Sequence, residues 1–313
     1  MVKQTVVLTI LIILLSCGGL LTAAPISQGD IFITVASPGK VYRITNGGDY
    51  STATPFATGL TDAVGLVFSP DGRLYASCAG GRVFDITAGG DFSSAGPFAW
   101  GLGYVNEMTV TGTGRILVAD IHRENVMDIT GGGDFSTASA FATGLDGLYS
   151  LLATSNGRIL AGDSYHVYDI TTGGNVSSSP NTPSFATILD SGGYLKRSVS
   201  LTQGPNGRIY SSAYDFVVDI TNGGFCWATP GFAYGLDSAI DIAFDSSGRF
   251  LASLEKSESV LDISAGGDCS GLTPFATGLN IYPQQIAIAT IPDPATLFLL
   301  SLGALALLRK SRA

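Results

Sequence analysis

The phrase "VFDITAGGDF", Val83 to Phe92, is written six times along this chain. Its counterparts are "VYRITNGGDY" from Val41, "VMDITGGGDF" from Val126, "VYDITTGGNV" from Val167, "VVDITNGGFC" from Val217 and "VLDISAGGDC" from Val260. The central isoleucines, Ile44, Ile86, Ile129, Ile170, Ile220 and Ile263, are spaced by 42, 43, 41, 50 and 43 residues. Such a period suits either propeller blades or paired-helix repeats. The content of each unit decides between them. Four short strand-like runs divided by Gly, Pro, Asn or Asp fill each unit, and no window carries apolar residues at helical spacing.

One unit reads "AVGLVFS", "RLYASC", "RVFDIT" and "PFAWGL" with turn residues between, so an inner strand is followed by three more. Inner strands begin near Val64, Asn106, Tyr149, Ser198, Ile240 and Gln284. The first of the remaining runs, "DIFITVA" from Asp30, matches the second strands, and "PQQIAIAT" from Pro283 matches the inner ones. The C-terminal strand therefore completes a blade whose other three strands come from the N-terminal side. This predicts an all-β protein, a single six-bladed β-propeller over residues 28–290. Its blades have four strands, and the 3+1 closure protects the sheet edges. A composition with 41 glycines and 45% hydrophobic residues suits short strands and tight turns. Through "DIAFDSSGRFLAS" and its counterparts, the unit resembles the NHL and SMP-30/gluconolactonase-like propellers. The resemblance lies at scaffold positions and implies a fold rather than an activity.

The repeated phrase itself reads as scaffold. In "VFDIT" apolar and polar residues alternate as in a strand packed on one face, and Gly-Gly permits the positive φ of a turn. Asp85, Asp128, Asp169, Asp219 and Asp262 recur in it, and Phe56, Phe98, Phe141, Phe185, Phe232 and Phe275 hold one position in all six units. What every blade repeats serves packing and turning. A calcium-binding β-roll is a poor match, since it repeats every nine residues.

Positions that differ between units point to function. Aligned on Gly72, Gly114, Gly157, Gly207 and Gly248, the inner strands share an apolar position at Leu66, Met108, Leu151, Leu201, Ile242 and Ile286. The preceding position holds Gly65, Glu107, Ser150, Ser200, Asp241 and Gln285, which by the period of two should line the central channel. Glu107 and Asp241, three blades apart, should face each other. The Ser200 strand has extra residues, leaving a register shift of two open. One face of the disk gathers Tyr104, Asn106, Tyr149, Tyr194, Lys196, Arg197, Tyr282 and Gln284. It also gathers "DIHREN" from Asp120, both histidines (His122 and His166) and the longest insertion, "ILDSGGYLKRS" from Ile188. Loops of this kind on a rigid scaffold commonly bind ligands. The candidate ligand-binding residues are Tyr104, Asn106, Glu107, Tyr149, Tyr194, Lys196, Arg197, Asp241, Tyr282 and Gln285. A tyrosine offers an apolar face and a hydroxyl, which suits a sugar ring. Lys196 and Arg197 could meet a uronate carboxylate. The competing reading is a solvated rim around an inert channel.

Catalytic signatures are lacking: no Gly-x-Ser-x-Gly, His-x-x-x-His or Cys-x-x-Cys occurs. No catalytic residue, resident metal or cofactor is expected, and the leading expectation is a non-enzymatic binding protein. The gluconolactonase resemblance implies the alternative, a calcium-dependent lactonase with oxygen ligands at the channel mouth. Glu107, Asp241, Asn106 and Gln285 offer such oxygens, yet the family's Asn and Asp ligands do not map onto this chain. Cys78, Cys226 and Cys269 read as small apolar fillers, because equivalent loops of neighbouring blades lie beyond the ~7 Å Cα reach of a disulfide.

The two ends read as processing signals. Residues 1–23 have one early charge, Lys3, then "VVLTILIILL" and the small residues of "LLTAA", a secretory leader cut after Ala23. "LLSC", ending at Cys17, offers a lipoprotein alternative. The other end has Pro292, Asp293 and Pro294, then an apolar stretch over 295–308, then Arg309, Lys310 and Arg312. As a helix that stretch covers about 21 Å, short of the ~30 Å hydrocarbon core, so it suits transient membrane insertion. The tail, 291–313, resembles the PEP-CTERM sorting signal, with Asp293 at the family's usual glutamate. The resemblance implies a bacterial exported protein, an exosortase-type processing enzyme as partner and a cell-surface or matrix destination, often with exopolysaccharide. Without Lys3, Arg309, Lys310 and Arg312, 12 of the 16 basic residues remain against 25 acidic ones. That balance excludes nucleic acid as a partner. A monomer is expected, with a polysaccharide or other matrix component as partner.

Overall fold

The computed structural model describes residues 24–176, 184–228, 231–279 and 282–290. The expected leader and the sorting signal, including Pro292, Asp293 and Pro294, lie outside the described residues. What is described is all-β, with one short 3-10 turn at Ile121–Arg123.

Each copy of the repeat folds into one antiparallel run. Ala63–Phe68, Leu74–Cys78, Arg82–Asp85 and Ala99–Trp100 pair in chain order, and we call this the second unit. The third comprises Val105–Val110, Ile116–Asp120, Asn125–Asp128 and Ala142–Thr143. The fourth comprises Ser150–Ala153, Ile159–Gly162, Val167–Asp169 and Ala186–Leu189. Ser200–Gln203, Ile209–Ser212 and Tyr214–Asp219 begin the fifth, which ends in the first part of the long strand Ala233–Phe244. The second part of that strand opens the sixth, with Phe250–Leu254, Ser259–Asp262 and Ala276–Thr277. The first unit draws on both ends. Pro283–Ile288 pairs with Ile31–Val35, which continues to Lys40–Arg43 and Ala57–Thr58.

The inner strands lie side by side in chain order, and Pro283–Ile288 then packs beside Ala63–Phe68, so the series returns to its start. Six apolar clusters fill the spaces between consecutive units. Leu66, Met108, Leu151, Leu201, Ile242 and Ile286 each fall in a different one. Burying alternate positions of both facing sheets is the main favourable term holding such a series together. The arrangement is propeller-like.

The repeated phrase performs two tasks. In its first half, Asp85 accepts the amide of Thr87 at 3.1 Å while the Thr87 hydroxyl accepts the amide of Leu74 at 2.9 Å. The same pair of bonds recurs at Asp128–Thr130, Asp169–Thr171, Asp219–Thr221 and Asp262–Ser264. Its second half reaches into the neighbouring unit. Gly90–Asp91 pairs in parallel with Ala57–Thr58, and the amide of Gly90 donates to the Phe56 carbonyl at 2.8 Å. Equivalent bonds join Gly48 to Phe275, Gly133 to Phe98, Gly174 to Phe141, Gly224 to Phe185 and Gly267 to Phe232. The recurring glycine pair and the recurring phenylalanine thus form one stitch. Cys78, Cys226 and Cys269 are buried and free.

Candidate functional site

The inner-strand position of Glu107, Ser200, Asp241 and Gln285 brings these side chains together, and they are occupied by one another and by neighbouring amides. Glu107 Oε2 accepts the amide of Leu151, on the next inner strand, at 2.9 Å. Asp241 Oδ2 accepts the amide of Ile286, again on the next strand, at 2.6 Å. Gln285 Oε1 accepts the amide of Leu66, and its Nε2 lies 3.5 Å from Glu107 Oε1. Ser200 donates to Asp241 Oδ1 and faces the amide of Ile242 at 3.4 Å. The amide of Ser200 bonds Ser212 as that of Asp241 bonds Ser253, so the Ser200 strand keeps the common register. Gly65 leaves space for its neighbours: a Cβ there would lie 2.7 Å from the Asn106 carbonyl and 3.3 Å from Gln285 Oε1.

Both acids are buried, and burial dominates their titration. It pushes the Glu107 carboxyl well above the ordinary range, reinforced by the charge of Asp241. Burial pushes Asp241 up to about 6, against the hydrogen bonds that favour its charged form. On the loop-rich side these residues border a cavity of about 20 Å³, shared with Asn106 and Val199, which holds about one water. On the other side they floor a recess of about 350 Å³, lined by Phe68, Met108, Leu152 and Ile288 among others.

Sequence reasoning missed a second tier of ties. Thr34 Oγ donates to the Val64 carbonyl at 2.6 Å and accepts the Gln285 amide at 3.0 Å. Ser77 accepts the Gly65 amide at 2.7 Å and donates to the Val105 carbonyl at 3.2 Å. Ser253 accepts the Asp241 amide at 3.0 Å and donates to the Gln284 carbonyl at 2.7 Å. Each hydroxyl joins its own inner strand to the next. The signal was a Ser or Thr recurring at one register position of otherwise apolar second strands.

The loop-rich face divides into two groups. Tyr104 and Tyr149 are half-buried, and the Tyr104 ring lies 5.6 Å from that of His122. The Tyr149 carbonyl accepts a hydrogen bond from Asn106 Nδ2 at 3.0 Å, and the guanidinium of Arg197 sits over the Tyr149 ring at 4.0 Å. Within "DIHREN", the wholly buried Asp120 accepts the Gly103 amide at 2.7 Å and so holds the entry to the third inner strand. His166 lies apart from His122, beside Tyr165 and Tyr168. Tyr282 is exposed, at φ 66°, and its carbonyl accepts the Ala36 amide at 3.1 Å.

Tyr194 does not join the mouth tyrosines. The insertion folds into a hairpin, Ala186–Leu189 against Leu195–Lys196, which prolongs the outer strand of the fourth unit. Asp190 closes its turn by accepting the amides of Gly192 and Tyr194, both at 2.9 Å. Lys196 and Arg197 are also separated, because successive residues of an extended chain point to opposite sides. Lys196 pairs with Asp190 at 3.1 Å, whereas Arg197 turns to Tyr149.

No family model matches the chain, and no curated protein matches it. Solved structures do resemble it. A protein of unknown function from Bacteroides caccae superposes with a TM-score of 0.52 at 12% identity, over 84% of this chain and 100% of that one. A gluconolactonase from Xanthomonas campestris gives 0.48 at 14% identity, over 82% and 87%. The extracellular domain of a hybrid two-component system protein from B. thetaiotaomicron gives 0.43 at 10% identity over 74% of this chain, which spans only 31% of that one. At these identities the likeness concerns the fold alone.

Proposed function

We propose that the protein is an exported six-bladed β-propeller that binds an acidic polysaccharide without transforming it. The six antiparallel runs are its blades, and the strand from Pro283 closes the ring. Arg197 carries the functional reading. It lies half-buried across Tyr149, with a 3.4 Å contact to the Ser164 hydroxyl and no carboxylate within ion-pair distance among the described residues. Seven of the other eight described arginines (Arg43, Arg73, Arg115, Arg123, Arg158, Arg208 and Arg249) each have such a carboxylate, and Arg82, which lacks one, is exposed. An oriented guanidinium with open N–H edges, in a chain of net charge −9, suits the carboxylate of a uronate. The tyrosine beside it suits the sugar ring. The oxygens a calcium-dependent lactonase would need, on Glu107, Asp241 and Gln285, are engaged by inner-strand amides, and the cavity above them holds about one water.

Affinity electrophoresis through alginate gels tests this. Wild type is retarded, Arg197→Gln and Tyr149→Ala migrate as in a polymer-free gel, and Lys196→Ala stays retarded. Equal retardation of wild type and Arg197→Gln would overturn the assignment.

Export through residues 1–23 and exosortase-type processing at Pro292, Asp293 and Pro294 belong to the same proposal, supported by the order of motif, apolar stretch and basic end. Intact-mass measurement on protein from its native host should show loss of Leu297 to Ala313. A full C-terminus on exported protein would favour a simple membrane anchor.

A further inference from the structure

The stitch between neighbouring units has a standard chemistry, and one unit abandons it. After the second glycine, Asp49, Asp91, Asp134 and Asp268 accept the amides of Ser51, Ser93, Ser136 and Ser270 at 2.9, 3.0, 2.9 and 3.0 Å. This is a local Asp-x-Ser turn. In the fifth unit, Phe225 takes the aspartate's place and Trp227 the serine's. The two-residue stitch lengthens to Gly224–Trp227 and pairs with the whole of Ala186–Leu189. Cys226 points inward and is buried, whereas Phe225 and Trp227 are 74% and 49% exposed.

Two further departures, one on the fifth unit's outer strand and one in the hairpin of the fourth, add exposed rings. The outer-strand threonine of other units, such as Thr58, Thr143 and Thr277, is replaced by Tyr234, 49% exposed. The hairpin insertion brings Tyr194, 73% exposed, and a side-chain carbon at Gly193 would lie 4.0 Å from the Trp227 indole. Trp100 also replaces this threonine, and like Tyr234, which stands opposite Asp268, it faces an intact turn; Tyr234 differs in bordering the hairpin insertion, where it shares a recess with Asp190 and Lys196. Replacing hydrogen-bonded polar groups with rings left in water gives up turn bonds and gains little burial. Packing therefore does not explain the substitutions.

We propose that Phe225, Trp227, Tyr234 and Tyr194 form a platform for a neutral polysaccharide chain. Side chains two apart on one strand face stand ~6.7 Å apart, so Phe225 and Trp227 present successive rings along a line. Aromatic faces stack on the C–H faces of sugar rings, and charged groups at the border bond the hydroxyls. Arg208, Asp219 and Asn222, which line a recess of about 590 Å³ with Phe225 and Trp227, supply one border. Asp190, Lys196 and Asp215, which line a recess of about 550 Å³ with Tyr234, supply the other. The platform rests on the carbohydrate reading above for the class of ligand but uses none of the channel-mouth residues.

The chain contains two tryptophans, so Trp100→Phe leaves Trp227 as the sole reporter. In that background, hydroxyethylcellulose, galactomannan and dextran are tried as neutral polymers, by affinity electrophoresis and tryptophan emission. At least one should retard the protein and shift its emission to shorter wavelength. Phe225→Asp with Trp227→Ser restores the residues that other units carry, so the fold is kept. That double variant should raise the dissociation constant at least tenfold, read by retardation, with the melting temperature unchanged or higher. Its retention of alginate binding, and the retention of neutral-polymer binding by Arg197→Gln, would keep the two sites distinct. Undiminished neutral binding in the restored variant overturns the platform, as does the absence of any emission shift with all three polymers. Conversion of a dimer to a monomer by the restored variant, seen in sedimentation, also overturns it, since the rings would then be a self-contact. If alginate binding persists in any of these cases, the channel-mouth reading stands alone.

Discussion

The amide of Ile286 donates to Asp241 Oδ2 at 2.6 Å, tying the inner strand of the sixth unit to that of the first. The bond has a predictable pH signature. Asp241 titrates at about 6 when folded, above its ordinary value of 3.8, because burial opposes its charge. The folded state thus holds this proton more tightly than the unfolded chain. The resulting stabilisation is complete below about pH 4 and is lost as pH rises through about 6. Two pH units correspond to on the order of 3 kcal/mol. Wild type should therefore melt higher at pH 4.5 than at pH 7.5, and Asp241→Asn should reduce that difference, leaving the part that the buried Glu107 contributes. Identical pH profiles for the two proteins would refute this account.

Glu107 shifts in the same direction, partly through the charge of Asp241. Glu107→Gln should also stabilise the protein near neutral pH. With Asp241→Asn already present, its gain should shrink, because one source of the Glu107 shift has gone. A double-mutant cycle at pH 7.5 measures that coupling, and strict additivity would rule it out.

The hydroxyl ties are neutral and should show no such pH dependence. Ser77→Ala leaves the amide of Gly65 and the carbonyl of Val105 without their shared partner, in a fully buried position. A loss of about 1–3 kcal/mol is expected from denaturant midpoints at any pH. Ser77→Thr should be milder, since Thr34 makes the equivalent pair of bonds in the first unit.

These ties mark where the sequence stops being legible. The period near 43 and the alternation within "VFDIT" are short-range signals, so the strand order and the equivalent inner-strand positions of Glu107 and Asp241 could be read from them. The partners of those acids could not, because the amide that Glu107 meets lies 44 residues further along the chain. The insertion after Ile188 reads in the sequence as part of the loop-rich face, whereas it pairs as a hairpin. Asp190, Ser191, Gly192 and Gly193 do signal a turn, but the strand pairing on either side of it depends on tertiary neighbours. The separation of Lys196 from Arg197 was available from the two-residue period alone. Phe225 and Trp227 were equally visible, as the one copy of the phrase without Asp-x-Ser or its Asn variant. They were passed over because the phrase as a whole is scaffold.

The stitch between units makes a contrasting pair of glycine predictions. Gly59 has φ 75°, and a Cβ there would lie 2.4 Å from the Ser93 amide nitrogen. Gly90 has φ 98°, with nothing within 4 Å of the same added carbon. Gly90→Ala should cost about 1–2 kcal/mol, the strain of a positive φ alone. Gly59→Ala adds a backbone collision to that strain and should cost clearly more, judged by denaturant midpoints. Equal costs would mean that the outer stitch is loose.

The guanidinium of Arg197 makes the last prediction. Its central carbon lies over Tyr149, 4.0 Å from the ring centroid, so the ring holds the guanidinium in place. A lysine would keep the charge but lose the planar fork and the stacking that orients it. Arg197→Lys should therefore lose alginate retardation nearly as fully as Arg197→Gln. Both variants should melt close to wild type, because Arg197 forms no ion pair among the described residues. A lysine variant that binds like wild type would mean that charge alone is read at this position. Lys196→Arg then supplies the complementary check. Its side chain remains directed at Asp190, so a second arginine there should not rescue the loss at Arg197.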